Sequence, residues 1–260
     1  MEKKAAQLAD RLTAEFYRRC GESFSATRQG GWPGWERLLE PLRAAAQRAA
    51  DEGRAVRVLD LGCGNLRFER WLADALPGVA VEATGLDREP SLAKDAVPGL
   101  AAEVVAARFD DGWRLPAGLS GRFDVAVAFG LLHHLTGHAG RRAVLEGLAR
   151  TLVPGGVAAA SCWRFLNDGR LGKKARVATA DAAVRWPELA GAFGPGDAFL
   201  GWQGEEGVFR FCHNVDEEEL GRLAAAAVAA APGMREEGRF SADGRTGELN
   251  RYLVLWRSLG

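Results

Sequence analysis

The chain has 260 residues, with 34 Lys+Arg balanced by 34 Asp+Glu, a formal net charge of zero, and a hydrophobic content of 47%. That length suits one domain with a sizeable core, and the charge balance removes any global positive field that would draw the protein to DNA or an anionic membrane. No apolar run reaches the ~20 residues of a membrane span, and Met1-Glu2-Lys3-Lys4 opens an amphipathic pattern, not a signal peptide, so a cytoplasmic protein is expected.

Leu8, Leu12, Phe16 and Tyr17 at helical spacing predict a helix over 5–19, which Cys20-Gly21-Glu22 should break. A second helix is predicted over 34–50, with Pro33 near its start. Strands are expected near 56–61, 79–86, 102–108, 123–129 and 156–163, alternating with helices near 67–76, 90–96 and 138–152. Such alternation builds an α/β, doubly wound, mostly parallel sheet with helices on both faces. Residues 167–207 are rich in Gly, Lys, Arg and Trp and hold one short helical stretch, 181–186, so they read as an inserted cap. Asp216 with Glu219 forms a capping signature for an alanine-rich helix to Ala231, stopped by Pro232-Gly233, and strands near 234–240 and 250–256 close the sheet as an antiparallel hairpin. The expected division is 1–53 helical, 54–163 core, 164–215 substrate-side insertion and 216–260 closing segment.

The chemistry concentrates where the first strand meets a glycine turn, Val58-Leu59-Asp60-Leu61-Gly62-Cys63-Gly64. Glycines at the carboxyl edge of a parallel sheet let backbone approach a ligand. A dinucleotide loop would place a third glycine where Leu66 or Arg67 stands, and Asp60 would repel a pyrophosphate but accept a hydrogen bond from an amino group. Asp87 ends the next strand, where an acid accepts from ribose hydroxyls. Two acids at consecutive strand ends point to an adenosine with a cationic tail, as in S-adenosylmethionine (SAM). Cys20, Cys63, Cys162 and Cys212 lie far apart, so neither a metal site nor a disulfide framework is expected; Cys63 is a small filler beside the cofactor.

The run from about Arg54 to Trp163 resembles the class I SAM-dependent methyltransferases in five successive motifs: "VLDLGCGNLRF", "GLDRE", "ARFDDGW", "FDVAVAFGLLHHL" and "LARTLVPGGVAAAS". The resemblance implies a Rossmann-like, seven-stranded sheet. It places the cofactor against Asp60, Gly62, Cys63, Gly64, Asp87, Arg88, Phe109, Asp110 and Gly130, with Asp110, in preference to Asp111, meeting the adenine amino group.

"FYRRCGESFSATRQGGWPGW" is similar to the entry segment of the tRNA wobble-uridine carboxymethyl methyltransferases, placing Phe24, Ser25, Thr27, Arg28, Trp32 and Pro33. Their Arg-Tyr-Tyr-His segment resembles Phe209-Arg210-Phe211-Cys212-His213, except that Phe211 and Cys212 replace the tyrosines. The resemblance implies methylation of a carboxylate oxygen on a modified uridine or related acid, with an activating subunit as an open question. A carboxylate is ionised at neutral pH and requires no general base, only an arginine to hold it. Arg28 and Arg210 are the candidates, against their reading as solvated charges. His133 is expected to face the site, as a base only for an amine or hydroxyl acceptor, with His134 packed and His138 at a helix start. Trp32, Trp163, Trp202 and His213 are substrate-side candidates, whereas Arg170, Lys173, Lys174 and Arg176 read as a solvated face. A small-molecule or peptide acceptor and a non-catalytic SAM-binding subunit are the competing expectations.

Overall fold

The structure, a computed structural model, describes residues 1–93 and 100–259. Its frame is a seven-stranded sheet built from β1 (Val56–Leu61), β2 (Val81–Asp87), β3 (Leu100–Ala106), β4 (Phe123–Ala128), β5 (Leu152–Trp163), β8 (Met234–Ala242) and β9 (Asn250–Arg257), in the order β3-β2-β1-β4-β5-β9-β8. The first five run parallel to one another, and β9 enters antiparallel between β5 and β8. β1 and β4 are buried on both faces because the sheet is covered on both sides: α5 (His138–Thr151) and α7 (Glu217–Ala230) on one, α3 (Leu39–Asp51) and α4 (Arg67–Ala75) on the other. The strand order reverses between β1 and β4, and ligands bind at the carboxyl edge beside such a reversal.

The remaining elements gather over that edge. α1 (Lys3–Ala26) packs against a two-stranded ribbon, β6 (Asp197–Leu200) with β7 (Arg210–His213), and against α6 (Gly169–Arg185), around Leu8, Ala9, Ala182, Phe199, Phe209 and Phe211. The short α2 (Pro33–Glu36) leads from α1 to the core.

Several expectations are corrected. α1 does not break at Cys20-Gly21-Glu22: the helix carries through to Ala26, and the bare Cα of Gly21 lets Leu92 close on it, since a Cβ there would stand 3.2 Å from the leucine. The single helix over 34–50 is two, α2 and α3. The short stretch 181–186 is the end of the 17-residue α6, whose cap is Asp168, accepting from the Leu171 N–H. The helix near 90–96 is one 3₁₀ turn at Pro90–Leu92, and its positions 94–96 lie outside the described residues. No helix among the described residues is long and apolar enough to cross a membrane.

Candidate active site

The carboxyl ends of β1, β2 and β4, the second half of α1, β7 and the β8–β9 turn enclose a cavity of about 420 Å³, within the roughly 300–1,000 Å³ usual for small-ligand sites. Its charged groups divide between two sides. Asp60, Asp87 and Glu89 stand on the side of the glycine loop; Arg28 and Arg210 stand on the side of α1 and β7; Tyr17, Phe24, Trp32, Phe129 and Trp163 supply the apolar wall.

On the acidic side the loop after β1 is set by backbone that only certain residues adopt. Gly62 and Gly64 have φ of 82° and 53°, and a Cβ on Gly62 would stand 3.0 Å from the Leu131 side chain. Asp87 braces the loop, its Oδ2 accepting from the Gly64 N–H at 2.8 Å and its Oδ1 from the Glu89 N–H at 2.8 Å. The position where the third glycine was missing is itself left-handed: Leu66, with φ 58°, makes the turn at the cost of strain and keeps its side chain buried. The Cys63 side chain fills space left by Gly85 of β2, where a Cβ would sit 2.5 Å from its sulfur; burial raises its thiol pKa, so it is an inert filler.

Asp60 is buried, and among the described residues its Oδ1 has no hydrogen-bond partner; the fully buried Glu69 of α4 likewise has none on either oxygen. Burial raises the pKa of both, that of Glu69 to about 7. A carboxylate aimed into a cavity without a donor is the complement of a cationic ligand. Asp60, the glycine loop, Asp87 and Phe109 therefore fit SAM, which carries an ammonium and a ribose but no phosphate.

On the basic side Arg210 is 5% exposed, and its Nε and Nη1 find no acceptor among the described residues. Its guanidinium lies 4.7 Å from the Phe24 ring and 5.4 Å from the Trp163 ring. Arg28 stacks 3.5 Å over Phe24, and burial and then the charge of Arg210 lower its pKa to about 10. Neither arginine makes an ion pair among the described residues. Burial pushes His133 well below the ordinary imidazole value, helped by His134 and Arg210, and its Nδ1 has no partner among the described residues. His134 is held at both nitrogens, Nδ1–H donating to the Phe211 carbonyl at 2.8 Å and Nε2 accepting from the Tyr17 hydroxyl at 2.7 Å. Burial drives it to about 3, so both imidazoles are neutral. The ligand atoms of His133, His134 and Cys212 lie within 4.8 Å of one another, but the tautomer of His134 is spent on these bonds and two arginines face the group, which opposes a cation.

Of the residues named from sequence, Asp60, Gly62, Cys63, Gly64, Asp87, Arg88, Phe109, Gly130, Arg28, His133, Arg210, Trp32 and Trp163 line this cavity; Asp110, Trp202 and His213 do not. Arg88 is also committed to α1, pairing with Asp10. Asp110 closes its own loop through the Gly112 N–H and lies near Arg108. Trp202 packs behind Phe24 and donates to Ser23 Oγ at 3.0 Å. His213, though on β7 like Arg210, is turned toward the core, bonded at 2.7 Å to both Asp197 and Glu219.

Sequence reasoning passed over Tyr17, Asn65, Asp243 and Asn250, which also line the cavity. Asp243 accepts from Gly34 N–H, Asn250 Nδ2 and the Tyr252 hydroxyl, tying the β8–β9 turn to α2. The Asp-Gly dipeptide at 243–244 was the available turn signal. Asn65 donates to Ser25 Oγ at 2.7 Å, tying the glycine loop to α1.

Residues 59–158 match the family described as "Methyltransferase domain". The strand order is that of the Rossmann-like SAM-dependent methyltransferase fold. The chain is 28% identical over 161 residues, 62% of its own length, to the tRNA (carboxymethyluridine(34)-5-O)-methyltransferase ALKBH8 of Mus musculus. It is also 28% identical over 149 residues, 57% of its length, to the tRNA (carboxymethyluridine(34)-5-O)-methyltransferase of Schizosaccharomyces pombe. It spans 21% and 56% of those two relatives. A SAM-dependent methyltransferase structure from Methanosarcina mazei superposes with a TM-score of 0.57 at 17% identity, over 79% of this chain and 94% of that one, and supports the fold.

Proposed function

We propose that this enzyme methylates a carboxylate oxygen, with Arg28 and Arg210 holding the acceptor. The observation that carries the reading is the buried Arg210 guanidinium, aimed into the cavity with two nitrogens unpartnered and a second arginine beside it. A desolvated guanidinium costs several kcal/mol unless an anion completes it, and a carboxylate matches its fork. Asp60, Gly62, Gly64, Asp87 and Phe109 would hold SAM. When bound, SAM supplies an activated methyl group on a sulfonium. The protein's part is alignment, which in well-oriented systems contributes roughly 7–11 kcal/mol. Arg28 and Arg210 fix the acceptor anion, Trp163 and Phe24 flank it, and His133, neutral and beside Trp163, removes no proton from it.

The names of the curated relatives support a carboxymethyluridine acceptor. A small free acid is a second reading, favoured by the zero net charge and by the aromatic wall of α1 over the arginines. Methyl-labelled SAM offered with tRNA bearing carboxymethyluridine, and separately with a panel of small aromatic acids, distinguishes them. Either product should release its label as methanol in mild alkali, as esters do; an alkali-stable product would overturn carboxylate methylation. Arg210→Lys, which keeps the charge but loses the fork, should lower kcat/KM roughly 100-fold, equivalent to about 3 kcal/mol for lost charged hydrogen bonds.

A further inference from the structure

Among the described residues, four arginines line the cavity. Arg88 is paired with Asp10, and Arg28 and Arg210 are assigned above to the acceptor carboxylate, which leaves Arg67. It opens α4 and is half-buried, its guanidinium 4.7 Å from the Trp32 ring and 5.3 Å from the Trp35 ring. Its side chain makes no hydrogen bond and no ion pair among the described residues. Asp243, the acid that acts on it, is already spent, accepting from the Gly34 N–H, Asn250 Nδ2 and the Tyr252 hydroxyl. One carboxylate held by Arg28 and Arg210 does not serve Arg67 as well. Those two arginines share the Phe24 ring, at 3.5 and 4.7 Å, within a set of rings that includes Tyr17 and Trp202. Trp32 and Trp35 belong to a second set with Phe129, and no ring contact joins either of them to Phe24 among the described residues.

We propose that Arg67, seated on Trp32, receives a second anionic group of the acceptor, a phosphate or a second carboxylate, so that the substrate is a dianion whose other end is the carboxylate that is methylated. The tryptophans attract the charge of Arg67 but offer its N–H donors no oxygen, which an anion supplies. Burial disfavours the charge of Arg67 as it does that of Arg28, and Arg67 adds its own repulsion to Arg28; an anion on Arg67 relieves both. Although α4 follows the glycine loop, the groups that favour the charge on Arg67 are Tyr252 and Asp243 of the β8–β9 hairpin, and the loop acids Asp60 and Asp87 are not among them. Arg67 therefore belongs with the acceptor and not with the cofactor. Such a dianion has two sources: a nucleotide, whose second group is a phosphate, and a free dicarboxylic acid.

The inference rests on the carboxylate reading above, and the test separates the two. Calorimetry on the enzyme saturated with S-adenosylhomocysteine (SAH) compares two pairs of probes: carboxymethyluridine with its monophosphate, and phenylacetate with meta-phenylenediacetate. In one pair the more charged member should bind at least about tenfold more tightly, as one added charge-assisted contact allows, the first pair marking a nucleotide and the second a diacid. Arg67→Met, whose chain still covers Trp32, should bring that ratio within about twofold, whereas Arg210→Lys should weaken both members of the pair. A preference that survives Arg67→Met, or no preference in the wild type, would overturn the dianion. Wild-type affinity of Arg210→Lys for both members would defeat the carboxylate reading and leave the role of Arg67 standing; binding of neither pair to the wild type would overturn both. A last arm uses the cofactor's own parts. Arg67→Met should bind SAH and methylthioadenosine, which lacks the amino-acid tail, within about twofold of wild type, which also shows the variant to be folded. Weakened SAH with methylthioadenosine unaffected would give Arg67 to the cofactor's carboxylate and overturn the proposal.

Discussion

At the scale of single residues, the site keeps its histidines out of proton chemistry. His133 and His134 sit among buried aromatic rings with Arg28 and Arg210 near them, so the charged imidazolium is disfavoured by desolvation and by repulsion. Both are therefore neutral from well below pH 6.5 upward, and a carboxylate acceptor has already lost its proton near pH 4. No group that touches the reacting atoms titrates between about pH 6 and 8 on this account, so the proposed ester formation should have a flat kcat across that window. A profile rising through pH 6.5–7.5 and abolished by His133→Gln would instead assign His133 as a base and the acceptor as an amine or hydroxyl. Much of this residue chemistry was legible beforehand: Asp60, Asp87, Arg28, Arg210 and His133 reach one cavity because strand ends and the helix before β1 are brought to one edge of the sheet. Glu69 was not legible, because a glutamate on an amphipathic helix ordinarily faces water, and only the way α4 packs beneath the loop buries it.

At the scale of elements, α1 is the wall that sequence reading cut short. Its Asp10 pairs with Arg88 and Arg108 at the ends of β2 and β3, its Thr13 hydroxyl accepts from the Phe211 N–H of β7 at 2.9 Å, and its Tyr17 hydroxyl donates to His134. The helix is thus written into three tertiary hydrogen-bond sets that override the local weakness of Gly21. α6 escaped for the related reason that Gly169 and Gly172 lower its propensity, while the buried small face of Gly172, Ala175 and Ala182 is rewarded only by packing on β6. Periodicity reads a helix's own pattern and not the surface that receives it. Tyr17→Phe tests the seam of α1: it leaves a buried imidazole nitrogen without its donor, which costs about 1–3 kcal/mol. Urea unfolding should show a midpoint lowered accordingly with the slope unchanged; an unchanged midpoint would mean that the Tyr17–His134 bond contributes nothing net.

For the molecule as a whole, the ribbon that carries Arg210 is clamped to the core through a buried ionic cluster. His213 of β7 bonds Asp197 across the ribbon and Glu219 of α7, and Glu219 in turn accepts from Arg141 at 2.8 Å and from His138 of α5 at 3.0 Å. Burial alone would lower the His213 pKa, but its bonds to the two carboxylates outweigh that and raise it above 6.5. Burial likewise opposes the ionised Glu219, and the hydrogen bond from His213 with the charge of Arg141 overrides it, leaving the group well below 4.5. The signs then fix the pH window. The histidine's contribution is fully present below pH 6.5 and lost as pH rises through its raised folded value; the glutamate's is present above pH 4.5 and lost as pH falls toward its depressed one. Together they place the strongest clamping between about pH 4.5 and 6.5. His213→Ala leaves two buried carboxylates short of a cation, a loss of roughly 3–5 kcal/mol. The gap in melting temperature between wild type and the variant should be largest near pH 6 and narrow as pH rises through the raised folded value of His213, above which the wild type has also given up that charge. A gap that stays constant across that range would mean His213 is held neutral and acts by packing alone. Because Arg210 lies three residues before His213 on the same strand, the stability curve and the acceptor KM should move together if the clamp also fixes the arginine.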